Sequence, residues 1–306
     1  MATQSETTTW AAPPPTEPKV HTLVEKLEGA SAIDPPAKTV AKAVRSAVPA
    51  GGVKDLLSGK PIGHALHPLL TDVVIGSWTS ATILDLIGGA QSRPAAERLI
   101  GVGIAASLPT AVSGATDWAD TTVSSAPVRR VGAIHAVLNV GALALYGASL
   151  AARRDGSRGK GVLLGLAGAG VLGASGHLGG HLSYVRGVGV SQTAFAEPLE
   201  DWTQACMAAE VREGEPFVAR VQGQEILLVR QDGAIHALAD RCTHRGGPLH
   251  EGTIEDGCVT CPWHFSRFRL RDGGVDRGPA TAPQPTYDVR EAGDRLEIRS
   301  AVSRPQ

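Results

Sequence analysis

Four long apolar segments constrain the fold of this chain more than any other feature of its sequence. They occupy residues 66–87, 99–116, 131–152 and 161–185. The last two contain no charged side chain, and about 18 apolar residues suffice to cross the roughly 30 Å hydrocarbon core of a bilayer. A soluble bundle would give each helix a polar outer face, which these two segments lack. The four segments therefore predict four membrane helices. For the first segment, which has Asp72 and Asp85 around an uncharged centre, a helix of a soluble bundle stays an open alternative.

An even number of membrane helices puts the N-terminal arm and everything after Arg186 on the same side of the bilayer. The Lys and Arg residues of the loops are divided almost evenly between the two sides, so they do not decide the orientation. No signal peptide is recognisable at the N-terminus, and we therefore expect a bacterial cell-membrane protein with a cytoplasmic C-terminal domain. A formal net charge of −1 gives no reason to expect a nucleic-acid partner.

The residues before the apolar segments divide into two parts. Residues 1–19 are rich in Thr and Pro, and we expect them to be disordered. Residues 20–60 carry two apolar stripes at helical spacing, separated by Asp34-Pro35-Pro36, and predict short amphipathic helices. Their polar faces are not strongly basic, which favours packing on the protein over binding to a membrane surface.

From about residue 201 the pattern changes to short alternating runs separated by glycine-containing turns. Examples are PFVARV, EILLVR and AIHALAD, followed after a Pro-rich loop by TYDVR and RLEIRS. Such runs predict a small antiparallel β domain. The predicted fold class is therefore membrane α plus all-β, with a four-transmembrane-helix domain over 61–190 followed by a β domain over 191–306.

Two mixed Cys–His pairs lie within this β domain. Cys242-Thr-His244 is followed, sixteen residues later, by Cys261-Pro-Trp-His264. A zinc finger of the two-Cys, two-His kind would instead have a Cys pair followed by a His pair. One sulfur and one imidazole in each half suit a dinuclear iron–sulfur cluster in which one iron takes both Cys and the other both His.

With these motifs the β domain resembles the Rieske [2Fe-2S] proteins. The resemblance implies Cys242, His244, Cys261 and His264 as the metal ligands, and Ser266 as a residue whose hydroxyl contacts the cluster sulfur. The loops lack the extra cysteines of respiratory Rieske proteins, which implies the ferredoxin type and the lower part of a potential range of about −150 to +300 mV. Phe265 stands where the family has glycine, so the conformation of this loop is in question.

The histidines of the apolar segments cluster near the side of the membrane that carries the β domain. We name His67, His135 and His181 as candidate cofactor-binding residues, because polar groups inside a membrane are costly and often functional. Three interpretations stay open: hydrogen bonds that join the helices, a quinone or small-molecule site, and a haem b held by two histidines from different helices.

Residues 56–190 also resemble an uncharacterised four-helix bacterial membrane family that occurs fused to Rieske domains. The stretches LLSGKPIGHALHPLLTDVVIGSW, SGATDWAD and GHLGGHLSYVRGVGV carry this resemblance. Together the features predict an electron-transfer component of the oxidoreductase class, anchored in the lipid bilayer and exchanging single electrons with a redox protein, a quinone or a haem. Two alternatives remain: a redox-sensing or assembly protein, and the Rieske component of a multi-subunit oxygenase.

Overall fold

The computed structural model describes residues 19–122 and 125–301. Three short helices come first: α1 (Lys19–Gly29), α2 (Asp34–Ala47) and α3 (Gly52–Ser58). Two of them fall where the sequence predicts amphipathic helices, and α3 is an addition. The disorder expected for residues 1–19 lies outside the described residues, apart from Lys19, at which α1 begins.

Four long helices follow, and each is long and apolar enough to cross a membrane. They are α4 (Leu66–Ile87), α5 (Arg93–Thr121), α6 (Ala126–Arg154) and α7 (Arg158–Gly180), with α7 continued by a π-helical turn over His181–Val185. Helices α5 and α6 extend beyond the apolar segments because a proline in the first turn starts each helix earlier, among polar residues.

The bundle is built from two helix pairs, α4 with α5 and α6 with α7. The Trp78 and Tyr146 rings stack between α4 and α6 with their centroids 4.1 Å apart. A Cβ atom added to Gly103 on α5 would lie 2.2 Å from Nε1 of Trp78, so glycine is what allows α5 to approach this ring. Small residues thus set the spacing of the helices around an aromatic centre.

Helices α1, α2 and α3 pack on the bundle, against α5 and α6. Asp34, in the first turn of α2, pairs with Arg129 at 2.9 Å and Arg130 at 2.7 Å. Glu28 of α1 pairs with Arg186 beyond α7, and hydrogen bonding from Arg186 holds the pKa of Glu28 below its usual value although burial opposes this. Ion pairs therefore fix the N-terminal helices across one end of the bundle.

The C-terminal domain is antiparallel throughout its described strands. Its strands are β1 (Thr203–Met207), β2 (Pro216–Val221), β3 (Gln224–Gln231), β4 (Ala234–Ala239), β5 (Thr253–Glu255), β6 (Cys258–Thr260), β7 (Arg267–Arg269), β8 (Val275–Arg277), β9 (Thr286–Ala292) and β10 (Arg295–Ser300). They form a six-stranded sheet, in the order β1-β10-β9-β4-β3-β2, and a four-stranded sheet, β5-β6-β7-β8. The predicted fold class, four long apolar helices before a small antiparallel β domain, is confirmed.

The close contact at Gly103 gives a direct test of the helix packing. We expect Gly103→Ala to lower the midpoint of thermal unfolding in detergent, because overpacking of this kind costs about 1–3 kcal/mol. Gly101→Ala is the matched control: it lies on the same helix, and a Cβ atom there meets nothing within 4 Å. Equal midpoints for the two variants would contradict the packing described here.

Candidate metal centre

Two loops of the β domain bring the four predicted metal ligands together. Cys242 and His244 lie in the loop between β4 and β5, and Cys261 and His264 lie in the loop between β6 and β7. The imidazole rings of His244 and His264 are 5.1 Å apart between centroids and nearly perpendicular, at 88°. The two thiols are in hydrogen-bond contact with each other. Residues far apart in the chain thus form one centre of two sulfurs and two imidazoles.

The two ligand loops have the same local backbone. In the first, the Gly246 amide donates to the Cys242 carbonyl at 2.8 Å; in the second, the Phe265 amide donates to the Cys261 carbonyl at 3.1 Å. Both donors adopt left-handed conformations, with φ of 75° at Gly246 and 64° at Phe265. For a non-glycine residue this costs roughly 1–2 kcal/mol. Phe265 therefore keeps the turn that glycine would favour, with its side chain 54% exposed.

Backbone amides of each loop point at the cysteine sulfur of the same loop. The Cys242 sulfur accepts from the amides of His244 and Arg245. The Cys261 sulfur accepts from the amides of Trp263 and His264; these bonds and one from Cys242 lower the pKa of Cys261 to about 7, against the effect of burial. Amide donors to a metal-bound thiolate stabilise its negative charge and orient it.

The donor set fits a mixed-ligand iron–sulfur cluster. Nδ1 of His244 and Nε2 of His264 are buried and have no hydrogen-bond partner among the described residues. Burial lowers the pKa of His264 to about 4, so its imidazole is in the neutral form that binds metals. No three His, Cys, Asp or Glu side chains of the described residues are grouped to hold one ion. A dinuclear cluster needs only two protein ligands per iron, whereas a structural zinc site needs four on one ion.

Ser266 and a third loop, residues 278–284, complete the centre. The Ser266 hydroxyl, fully buried, accepts from the Ala280 amide at 3.0 Å, and this bond does not use the hydroxyl proton. Gln284 binds the first ligand loop by accepting from the Thr243 amide at 3.1 Å and donating to the Arg241 carbonyl at 2.6 Å. Sequence analysis missed Thr243 and Gln284, and only the Pro-rich composition of the third loop indicated a turn near this point.

The ligand loops face the end of the helix bundle. The Gly278 amide donates to Oδ1 of Asp55 on α3 at 2.8 Å, and Lys60 Nζ donates to the Asp276 carbonyl at 2.6 Å. His264 is 3% exposed and lies close to the backbone of Asp120 on α5. The helical domain therefore covers the histidine side of the centre. Nothing in the sequence indicated this contact, because its partners are separated by about 140 to 220 residues.

The candidate histidines of the helical domain lie in three separate contacts. His67 Nδ1 is 3.0 Å from the Thr110 carbonyl on α5. His135 has Nδ1 2.9 Å from the Ser175 carbonyl on α7 and Nε2 3.0 Å from the side-chain nitrogen of Asn139. His181 Nε2 is 2.7 Å from the Glu28 carboxylate on α1. Each contact joins two helices, and His135 has both ring nitrogens engaged.

The chain matches two protein families in the two parts that the structure separates. Residues 201–288 match the family described as Rieske [2Fe-2S] domain, and residues 63–192 match the family described as Predicted membrane protein (DUF2231). Among curated proteins, the chain is 36% identical over 101 residues to the anthranilate 1,2-dioxygenase ferredoxin subunit of Burkholderia cepacia, covering 33% of this chain and 93% of that one.

Two further comparisons involve the same part of the chain. The ferredoxin component of the naphthalene 1,2-dioxygenase system of Pseudomonas aeruginosa is 32% identical over 99 residues, with 32% of this chain and 95% of the relative covered. Among solved structures, the ferredoxin of carbazole 1,9a-dioxygenase from Nocardioides aromaticivorans IC177 is 24% identical, covers 33% and 98% of the two chains, and has a TM-score of 0.31. Each of these comparisons covers about a third of this chain and more than nine-tenths of the relative.

The ligand assignment predicts which histidines are needed for metal. We expect His244→Ala and His264→Ala to lose the two iron atoms per chain that a [2Fe-2S] cluster brings, together with the reduced-state resonance of average g below 2. His250→Gln is the control: His250, in the same loop as His244, contacts Asp240 at 2.7 Å and is not a predicted ligand. Iron analysis and electron paramagnetic resonance measure the outcome, and full iron content in His244→Ala would refute the assignment.

Proposed function

We propose that this chain, which belongs to the Rieske [2Fe-2S] family, is a membrane-anchored carrier of single electrons. When bound, the cluster supplies a one-electron redox couple. The observation that carries the proposal is the convergence of Cys242, Cys261, His244 and His264 in two loops whose amides point at the sulfurs. These residues hold the metal, bury it, and present the two imidazoles on one side.

The outer surface of the helix bundle supports membrane anchoring. Large apolar side chains on all four long helices are exposed to the surroundings, including Leu69, Val73, Leu86, Val102, Leu108, Val137, Val140 and Leu163. A water-soluble bundle would turn such side chains inward, whereas contact with lipid tails carries no penalty for them. Near the far end of the bundle, Asp85, whose side chain is 4% exposed, is paired with Arg153 and Arg158.

The position of the β domain supports a partner at the membrane. Asp55 and Lys60 hold the β domain on the helical domain at Gly278 and Asp276. His264 is 3% exposed and lies close to the backbone of Asp120 on α5 rather than in bulk water. We propose that electrons exchange with a membrane partner, a quinone or a redox protein, reached through this side. A soluble donor would reach the centre at the second ligand loop, where Trp263 and Phe265, on either side of His264, are exposed.

A second candidate function comes from the relatives. The anthranilate and naphthalene dioxygenase relatives are ferredoxin subunits of oxygenase systems, and they match almost their whole length to the β domain. Delivery of electrons to a separately encoded oxygenase is therefore the alternative. Coverage of the histidine side by the chain's own helices favours the membrane partner over it.

His67, His135 and His181 are the candidates for a haem or quinone site in the helical domain. A haem held by two of these residues would have to displace the hydrogen bonds of His135 with Ser175 and Asn139, or that of His181 with Glu28. We therefore propose that these histidines join helices and do not ligate a haem. A quinone that binds in the helical domain would lie against these histidines. A Soret band in the purified protein would contradict this.

We also propose that the β domain faces the cytoplasm. Support comes from Cys206 and Cys258, two buried cysteines that form no disulfide, a pattern of a reducing compartment. Protease treatment of inside-out and right-side-out vesicles tests this part alone. Cleavage of the β domain in right-side-out vesicles would contradict the proposed cytoplasmic orientation. It would not bear on the proposal of electron transfer.

Electron transfer itself is tested with the full chain in lipid vesicles. We expect the protein to stay in the membrane after an alkaline wash, to take up one electron per chain, and to be oxidised again by a membrane quinone. His244→Ala, which retains the helices, is the control that should bind the membrane without exchanging electrons. Reoxidation by a soluble oxygenase but not by a quinone would favour the alternative, and a protein released by the wash would refute anchoring.

A further inference from the structure

We propose that Lys54 and Asp120 of the helical domain set the reduction potential of the cluster held by His244 and His264, with opposite signs. The inference rests on the proposed function, since it concerns the cluster that these histidines would hold. It assigns a redox role to two residues that lie outside the Rieske domain, about 120 to 210 residues before the ligands.

The two residues form an ion pair inside the contact between the domains. Lys54 Nζ on α3 donates to Oδ1 of Asp120 on α5 at 2.7 Å, and the two residues are only 5% and 1% exposed. Oδ2 of Asp120 is buried without a hydrogen-bond partner among the described residues. A buried ion pair of this kind adds little to the stability of the fold, because the cost of desolvation offsets the attraction between the charges. In this proposal its role is therefore its electrostatic effect on the centre.

This pair lies against the histidine side of the centre. Asp55, the residue after Lys54, binds the Gly278 amide at 2.8 Å and so holds α3 on the third loop of the centre. The His264 imidazole lies close to the backbone of Asp120. Its Nε2 atom is buried and has no hydrogen-bond partner among the described residues. Because its partner Asp120 contacts His264, Lys54 lies on the same side of the centre as this imidazole.

Charge near the imidazoles acts on the redox couple because reduction adds one negative charge to the centre. A nearby cation favours the reduced state and raises the potential, and a nearby carboxylate lowers it. The Lys54–Asp120 pair next to His264 supplies one charge of each sign, and Arg45 brings a further cation to the same end of α5 by donating to Oγ1 of Thr122 at 2.9 Å. Low exposure strengthens each effect, since little water screens it.

The ferredoxin relatives match only the β domain, about a third of this chain. Lys54, Arg45 and Asp120 lie in the helical part, outside that match. In this proposal the helical domain supplies charges next to the histidines. Docking of the β domain onto the helical domain would therefore change the reduction potential of the cluster.

The experiment is a potentiometric titration of the full-length protein in lipid vesicles, followed by the reduced-state resonance. Lys54→Gln should make reduction about tenfold less favourable, a fall of roughly 59 mV for a one-electron couple, and Asp120→Asn should shift it by a similar amount in the opposite direction. Lys54→Arg keeps the charge and should restore the wild-type value. Arg45→Gln should shift the potential in the same direction as Lys54→Gln.

Lys60→Gln is the matched control for loosened docking. Lys60 carries the same charge as Lys54 and binds the Asp276 carbonyl and Oδ2 of Asp55 in the same interface. Shifts of Lys54→Gln and Asp120→Asn in the same direction, or shifts no larger than that of Lys60→Gln, would overturn the inference. Iron content and membrane retention are measured for every variant. Wild-type protein without a reduced-state resonance would instead overturn the proposed function, so the two failures are distinguishable.

Discussion

The rest of this structure depends on the contact that seats the ligand loops of the β domain on the end of the helix bundle. Helix α3 is central to it: Asp55 binds the Gly278 amide, Lys60 binds the Asp276 carbonyl, and Lys54 reaches Asp120 of α5. Helices α1 and α2 support this end through the ion pairs of Glu28 and Asp34 with arginines of the bundle. Because the centre is buried in this contact, its electrostatic surroundings come from both domains.

Polar groups lie at both ends of the bundle, and at the end next to the β domain their arrangement separates two tasks. Arginines at this end pair with acidic residues of α1 and α2, which in the proposed membrane would lower the cost of placing charge next to lipid. The histidines deeper in the bundle join helices through carbonyl and carboxylate partners. The metal centre adds unpartnered imidazole nitrogens to this end, and in a protein interior such groups are expected where a ligand binds.

The sequence predicted the architecture well because both strong signals are local. Four apolar segments gave α4 to α7, with α4 matching at both ends, and alternating runs gave PFVARV and RLEIRS as the strands β2 and β10. The predicted ligand set came from two mixed Cys–His motifs and from the family resemblance that they carry. Strands β1, β5 and β6 were missed, since each has only three to five residues and no clear alternation. Phe265 stands where the family motif has glycine, yet its backbone adopts the left-handed conformation of the turn. The substitution is tolerated because the Phe265 side chain is exposed and does not crowd the centre.

What the sequence could not predict depends on contacts between distant residues. Gln284 and Thr243, and above all Lys54 and Asp120, carry no motif, and their role exists only in the folded arrangement of the two domains. The most direct test of that arrangement is the reduced-state resonance of the protein in oriented membrane multilayers. A β domain fixed on the bundle predicts signal amplitudes that change with the angle between the membrane and the magnetic field. Amplitudes that are the same at every angle would show a freely tethered domain and contradict the account.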